Sequence, residues 1–159
     1  MRRSRARIAA AAVTTVVSTQ CASADFCIDV QLALVLSANF ADLRGAAIDN
    51  RTWTSDRMIT RASSCIISHS KDRKYDLHCA LKEQLSNQVE ADKEFSALVT
   101  QMKACIPEPQ FTYRTENMKD KMTNVVIASN NRTVAYLSLT RADLGTGSNY
   151  TVGMTVVGQ

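Results

Sequence analysis

The most regular pattern in the chain lies in residues 80–105. Leu81, Leu85, Gln88, Phe95, Leu98, Val99, Met102 and Cys105 recur there at helical spacing, while Lys82, Glu83, Glu90, Asp92, Lys93, Glu94 and Lys103 stay largely off that stripe. The spacing predicts one long amphipathic helix, stopped by Pro107 and about 39 Å long if unbroken. Its charged side reads as a solvated surface, because the apolar repeat does not continue into a longer coiled-coil pattern. Residues 26–43 are rich in Leu and Ala, lack Gly and Pro, and end before Gly45, which predicts an earlier helix. Ile28, Val30, Leu32, Leu34 and Leu36 also alternate with period two, so a strand fits this stretch as well. Either element would be buried.

Residues 57–68 and 74–79 read as two strands joined by the polar turn Ser70, Lys71, Asp72, Arg73. Folded symmetrically about Asp72, this hairpin sets Cys65 opposite Cys79, Ile67 opposite Leu77 and His69 opposite Tyr75. Side chains alternate across a strand, so His78 shares the opposite face with Ile66, and the two histidines of the chain are kept apart. After Pro107 and Pro109 the composition turns to Val, Thr, Tyr and Ile. Strands are expected at 111–115, 123–129, 133–140 and 150–157, with a tight connection at 129–132 and a longer loop at 141–149. No internal repeat is visible. The expected order is helix, hairpin, long helix, then a meander of three or four strands: an α+β fold with two helices packed on an antiparallel sheet.

Charge alters the picture only at the N-terminus. Arg2, Arg3, Arg5 and Arg7 precede any acidic residue, the first of which is Asp25. Without residues 1–24, four of the 19 basic residues are lost, leaving 15 against 15 acidic ones. A formally neutral remainder removes the main argument for a nucleic-acid footprint or a polybasic membrane surface. The basic start, the apolar run at 8–17 and the small residues Ala22, Ser23 and Ala24 have the form of a secretory signal peptide cleaved after Ala24. That run is about half the roughly 20 residues a membrane span needs. Cys21 lacks the preceding small residue and Leu that would suit a lipoprotein. The expected division is a signal peptide at 1–24 and a single α+β domain at 25–159. It implies a bacterial periplasmic or secreted protein, with no membrane attachment after cleavage.

In that setting Cys27, Cys65, Cys79 and Cys105 are expected to pair. Four cysteines allow three connectivities. The hairpin favours Cys65–Cys79, and two helices packed antiparallel would bring Cys27 to Cys105. No Cys-x-x-Cys spacing points to a zinc or redox centre.

Catalytic signals are sparse. Neither His lies in a recognisable Ser or Cys motif, and no Gly-x-Ser-x-Gly is present. Gly145-Thr146-Gly147 precedes an expected strand, where a dinucleotide fingerprint would open a helix. Glu90 with Glu94, and Glu116 with Asp120, lie four residues apart, a spacing common on solvated helices. His69, Asp72, Asp76 and His78 form the one group of potential metal ligands, and the hairpin faces divide it. No catalytic residue, cofactor or metal is therefore assigned. Asn50, Asn131 and Asn149 begin Asn-x-Ser/Thr triplets, which matter only in a eukaryotic secretory route. Trp53, the sole Trp, is either a cap over the hairpin or a possible binding surface.

Taken in order, Phe26-Cys27, Phe40, Leu43-Arg44-Gly45, Trp53, Cys65, Tyr75, Cys79 and Cys105 resemble a pattern of small exported, disulfide-bonded proteobacterial proteins of unknown function. The resemblance implies an exported, disulfide-bonded domain and no activity. The functional expectation is a non-enzymatic protein-binding module of inhibitor, immunity or accessory type, its partner another protein rather than nucleic acid. A small hydrolase using acidic residues and a carrier of a small apolar ligand are the alternatives. Intact-mass measurement of the exported protein is expected to give a chain starting at Asp25; retention of residues 1–24 in a membrane fraction would contradict the signal-peptide assignment.

Overall fold

The computed structural model describes residues 19–71, 74–106, 110–117, 122–143 and 147–158. The basic and apolar parts of the expected leader, residues 1–18, lie outside them, as do Asp72, Pro107, Pro109, Asp120 and Gly145. The chain order is α1 (Thr19–Val35), a short 3-10 turn (Ala41–Leu43), β1 (Arg44–Ala47), β2 (Thr52–Ser55), β3 (Ser64–His69), β4 (Tyr75–Leu85), α2 (Gln88–Cys105), β5 (Thr112–Glu116), β6 (Met122–Ser129), β7 (Thr133–Asp143) and β8 (Ser148–Gly158). The architecture is mixed α+β but mostly sheet. All eight strands form one antiparallel sheet in the order β1-β2-β3-β4-β8-β7-β6-β5.

This order contains a regularity that the residue pattern does not display. A helix followed by a four-strand meander is laid down twice, and the two meanders join where their last strands, β4 and β8, pair. The repetition is one of backbone topology, so the expectation of no internal repeat fails at this level. α2 rests on β4, β7 and β8, and α1 packs against α2. The covered face of the sheet includes Ile67, Leu77, Leu137, Val152, Met154 and Val156, each at most 2% exposed. On the opposite face the register aligns Ile66, His78, Thr155, Tyr136, Ile127 and Arg114 in one row across six strands. β6 is buried on both faces, with Val125, Val126, Ile127 and Ala128 all buried.

Several expected boundaries shift, each for an identifiable reason. The segment 80–85 continues β4 instead of opening the long helix, which starts only at Gln88. Leu81 and Leu85 lie four apart, an interval that serves a helix face and a strand face alike. Partners on β8 decide in favour of the strand, with register irregularities between Ala80 and Leu85 and a positive φ of 59° at Gln84. Asn87 then caps α2, its side chain accepting a hydrogen bond from the Val89 N–H at 2.8 Å. At 18 residues α2 extends about 27 Å, not the 39 Å expected.

The first helix likewise differs from its expected span of 26–43, ending at Val35. Buried Phe26, Val30 and Ala33 follow helical spacing, which disposes of the strand reading. The chain leaves through Phe40, which is fully buried and holds a left-handed φ of 52°. Gly45 belongs to β1 rather than to a helix exit. Residues 57–63 are not strand, and β3 starts at Ser64. Two short strands, β1 and β2, were not anticipated. The expected loop at 141–149 is shorter because β7 and β8 extend their pairing to Asp143 and Ser148.

The β3–β4 hairpin has the expected register, with Cys65 opposite Cys79, Ile67 opposite Leu77 and His69 opposite Tyr75. Cys65 and Cys79 are disulfide-bonded, and Cys27 on α1 is bonded to Cys105 at the end of α2. The bonds span 14 and 78 residues, worth about 3 and about 4.5 kcal/mol in the chain-entropy account. Replacing Cys27 and Cys105 by Ser is therefore expected to lower stability more than replacing Cys65 and Cys79. Denaturant unfolding of the two double variants, with non-reducing peptide mapping of the parent, checks the order and the pairing.

Candidate functional site

The best-formed concavity lies where the end of α1, the end of α2 and the β6–β7 turn converge. It is an open groove of about 850 Å³. Leu34, Val35, Ala38, Ile106 and Phe111 provide apolar walls, with Gln31, Gln110, Asn130 and Arg132 as polar lining. Val35 is 78% exposed, the most exposed large hydrophobic residue among those described. A second concavity of about 400 Å³ shares Gln110, Asn130 and Arg132 and adds Thr112, Ser129 and Asn131. Together they form a trough from the end of α1 toward β5.

Local hydrogen bonding holds the walls in place. The Asn130 side-chain oxygen accepts from the backbone N–H groups of Arg132 at 2.8 Å and Thr133 at 2.9 Å, closing the turn around itself. Ser37 and Thr133 share a buried hydroxyl–hydroxyl contact at 3.0 Å. Gly158 lets the Ser37 carbonyl approach β8, since a Cβ at that position would collide with it. The Gln31 amide donates to the Cys105 carbonyl at 3.2 Å, and the Tyr113 hydroxyl donates to the Ile106 carbonyl. The Cys27–Cys105 disulfide ties the two helices beside the groove. Among the described residues, the Arg132 side chain has no hydrogen-bond or ion-pair partner. The groove thus offers apolar surface beside a guanidinium.

Trp53 lies elsewhere. It is half-buried on β2 opposite Ile67 and packs against the core. The Arg44 guanidinium sits 4.7 Å from its ring centre and 4.2 Å from that of Tyr75, while His69 stacks on Tyr75 at 4.4 Å. The stack caps the hairpin and engages Trp53 internally. The two histidines lie on opposite faces of the sheet, as the hairpin register requires. His78 meets Thr155 through Nδ1 at 3.0 Å, with Nε2 3.9 Å from Asp76. Burial holds its imidazole below the ordinary value, against the attraction of Asp76. Among the described residues no group of three or more His, Cys, Asp and Glu comes together.

The described carboxylates with displaced pKa values favour the ionised state. At Asp29 burial pushes upward, but hydrogen bonds from the Thr60 hydroxyl and backbone, and from Arg57, outweigh it and hold the group below its ordinary value. Asp49 and Asp143 are also lowered, by the Arg51 backbone and by Ser148 respectively. General acids need the reverse displacement. Glu90 is exposed and Glu94 half-buried on α2, and Glu116 pairs with Arg114.

The groove was not legible in the sequence, because its residues come from three widely separated stretches and none carries a motif.

Asp29 instead supports the fold by fastening α1 to residues 57–60. A lowered folded-state pKa means stability that is present above the ordinary carboxylate range and is lost as pH falls through the folded value. Asp29→Asn is expected to cost about 1–3 kcal/mol at neutral pH and to flatten the acid limb of a stability–pH profile. Urea unfolding of both proteins between pH 2 and 7 measures each effect.

No known protein family, curated protein or solved structure matches this chain.

Proposed function

We propose that this is an exported, non-enzymatic module that binds another protein in the periplasm or outside the cell, of inhibitor, immunity or accessory type. The observation that carries the reading is the groove: an exposed Val35 and neighbouring apolar walls next to the Arg132 side chain, which has no partner among the described residues, on a frame fastened by a disulfide. Such a site suits a protein segment presenting an apolar side chain with a carboxylate close to it. A rigid wall lowers the entropic cost of association.

Export is supported by the leader-like residues 1–24 and by the consumption of Cys27, Cys65, Cys79 and Cys105 in two disulfides, the state expected in an oxidising compartment. No described helix is long and apolar enough to cross a membrane. Asp29, Asp49 and Asp143, the described carboxylates with displaced pKa values, all lie on the ionised side, so none of the three is set up as a general acid. An apolar-ligand carrier would need room between helix and sheet, yet the gap among α1, residues 57–59 and Leu77 is only about 10 Å³, about enough for one water.

Panning the oxidised protein against a displayed peptide library tests the reading. Enriched peptides are expected to combine a large apolar residue with Asp, Glu or a free C-terminus. Val35→Glu and Arg132→Glu should each weaken their binding by about tenfold or more, which calorimetry measures. Binding indifferent to both substitutions, or no enrichment, would overturn the assignment.

A further inference from the structure

We propose that β5 is a self-association edge, through which two copies of this chain pair antiparallel into a continuous sixteen-stranded sheet. Among the described residues β5 ends the sheet order beyond β6. Edge strands are ordinarily protected by brevity, bulges, Pro or charged side chains. The opposite edge follows that rule: β1 has four residues, and its pairing is interrupted between Arg44 and Ala47. β5 carries charges instead. Its five residues, Thr-Tyr-Arg-Thr-Glu, contain no Pro or Gly and pair with β6 through five consecutive positions without a bulge.

The charges on β5 are of opposite sign and face the same way. Arg114 lies opposite Ile127 and Glu116 opposite Val125, so both occupy the face of the sheet away from the helices. They pair with each other at 3.0 Å and remain accessible, at 65% and 38% side-chain exposure. This arrangement determines which self-pairing is favourable. A two-fold axis perpendicular to the sheet keeps the helices of both copies on one side, so residues opposite each other across the new seam must share a face. Centring the axis on Arg114 sets arginine against arginine, and centring it on Glu116 sets glutamate against glutamate. Centring it on Thr115 sets Arg114 of each copy opposite Glu116 of the other, twice. The strand is self-complementary in that one register, which is why a second copy is the occupant that fits this edge.

A five-residue seam is small beside a standard protein interface, so the association is expected to be weak, with Kd of about 10–100 µM. Sedimentation velocity of the disulfide-bonded chain from about 5 to 500 µM should show a reversible dimer. Arg114→Glu and Glu116→Arg each place like charges opposite one another and should raise Kd about tenfold or more. Two combinations should restore dimerisation to within about threefold of the parent: the double variant R114E/E116R alone, and an equimolar mixture of the two single variants. Circular dichroism should stay unchanged and the thermal midpoint should move little, since Arg114 is exposed, Glu116 is half-buried and the ion pair between them lies at the surface. A parent protein that remains monomeric at the highest concentration overturns self-pairing and leaves β5 to an extended segment of a different protein. A dimer indifferent to the single charge reversals, or one that neither combination restores, overturns the register and with it the proposal.

Discussion

Everything in this molecule depends on the pairing of β4 with β8. Each meander alone is a four-stranded sheet with two edges. Joining the meanders through their last strands removes two of those edges and creates a single floor, on which α2 rests along β4, β7 and β8. Leu77 and Cys79 from one half and Met154 and Val156 from the other meet there with almost no exposure. Burial on that scale is the main favourable term available to a chain of this size.

The helices depend on that floor in turn. α1 reaches the core through Phe26, Val30 and Ala33, and three features hold it: the covalent bond to α2, the Asp29 contacts to residues 57–60, and the close approach of Ser37 to Gly158. Because α1 stops at Val35, it leaves the space beside the β6–β7 turn open, and the groove is that space. A helix continuing to Leu43, as the Leu- and Ala-rich composition suggested, would have altered this end of the molecule. The early exit follows from Phe40, whose buried side chain requires the chain to turn back.

Strand number and strand order have different origins here. Antiparallel meanders arise from local turns, so successive strands within each half are neighbours. The single non-local choice is which ends of the two meanders meet. Pairing β4 with β8 sends β1 and β5 to the rims, one bulged and short, the other regular. The residues that make β5 an open edge are ordinary in themselves. Their position in the sheet gives Arg114 and Glu116 their significance.

The hairpin shows how far the residues of this chain speak for themselves. Polar turn residues between two runs of alternating side chains determined its register, and with it the facing cysteines and the separation of His69 from His78, because a strand's period of two leaves little choice once a turn is placed. The four later strands were equally legible from their β-branched content. Local pattern failed where two periods coincide, at Leu81 and Leu85, since only partners on β8 tell strand from helix. It also failed at β1 and β2, four residues each, which form strands because β2 pairs with β3 through Trp53 and its neighbours and β1 then pairs with β2. The groove, the rim strands and the repeated topology lay beyond reach for a common reason: each is a relation between segments far apart in the chain, and such relations are decided by tertiary packing.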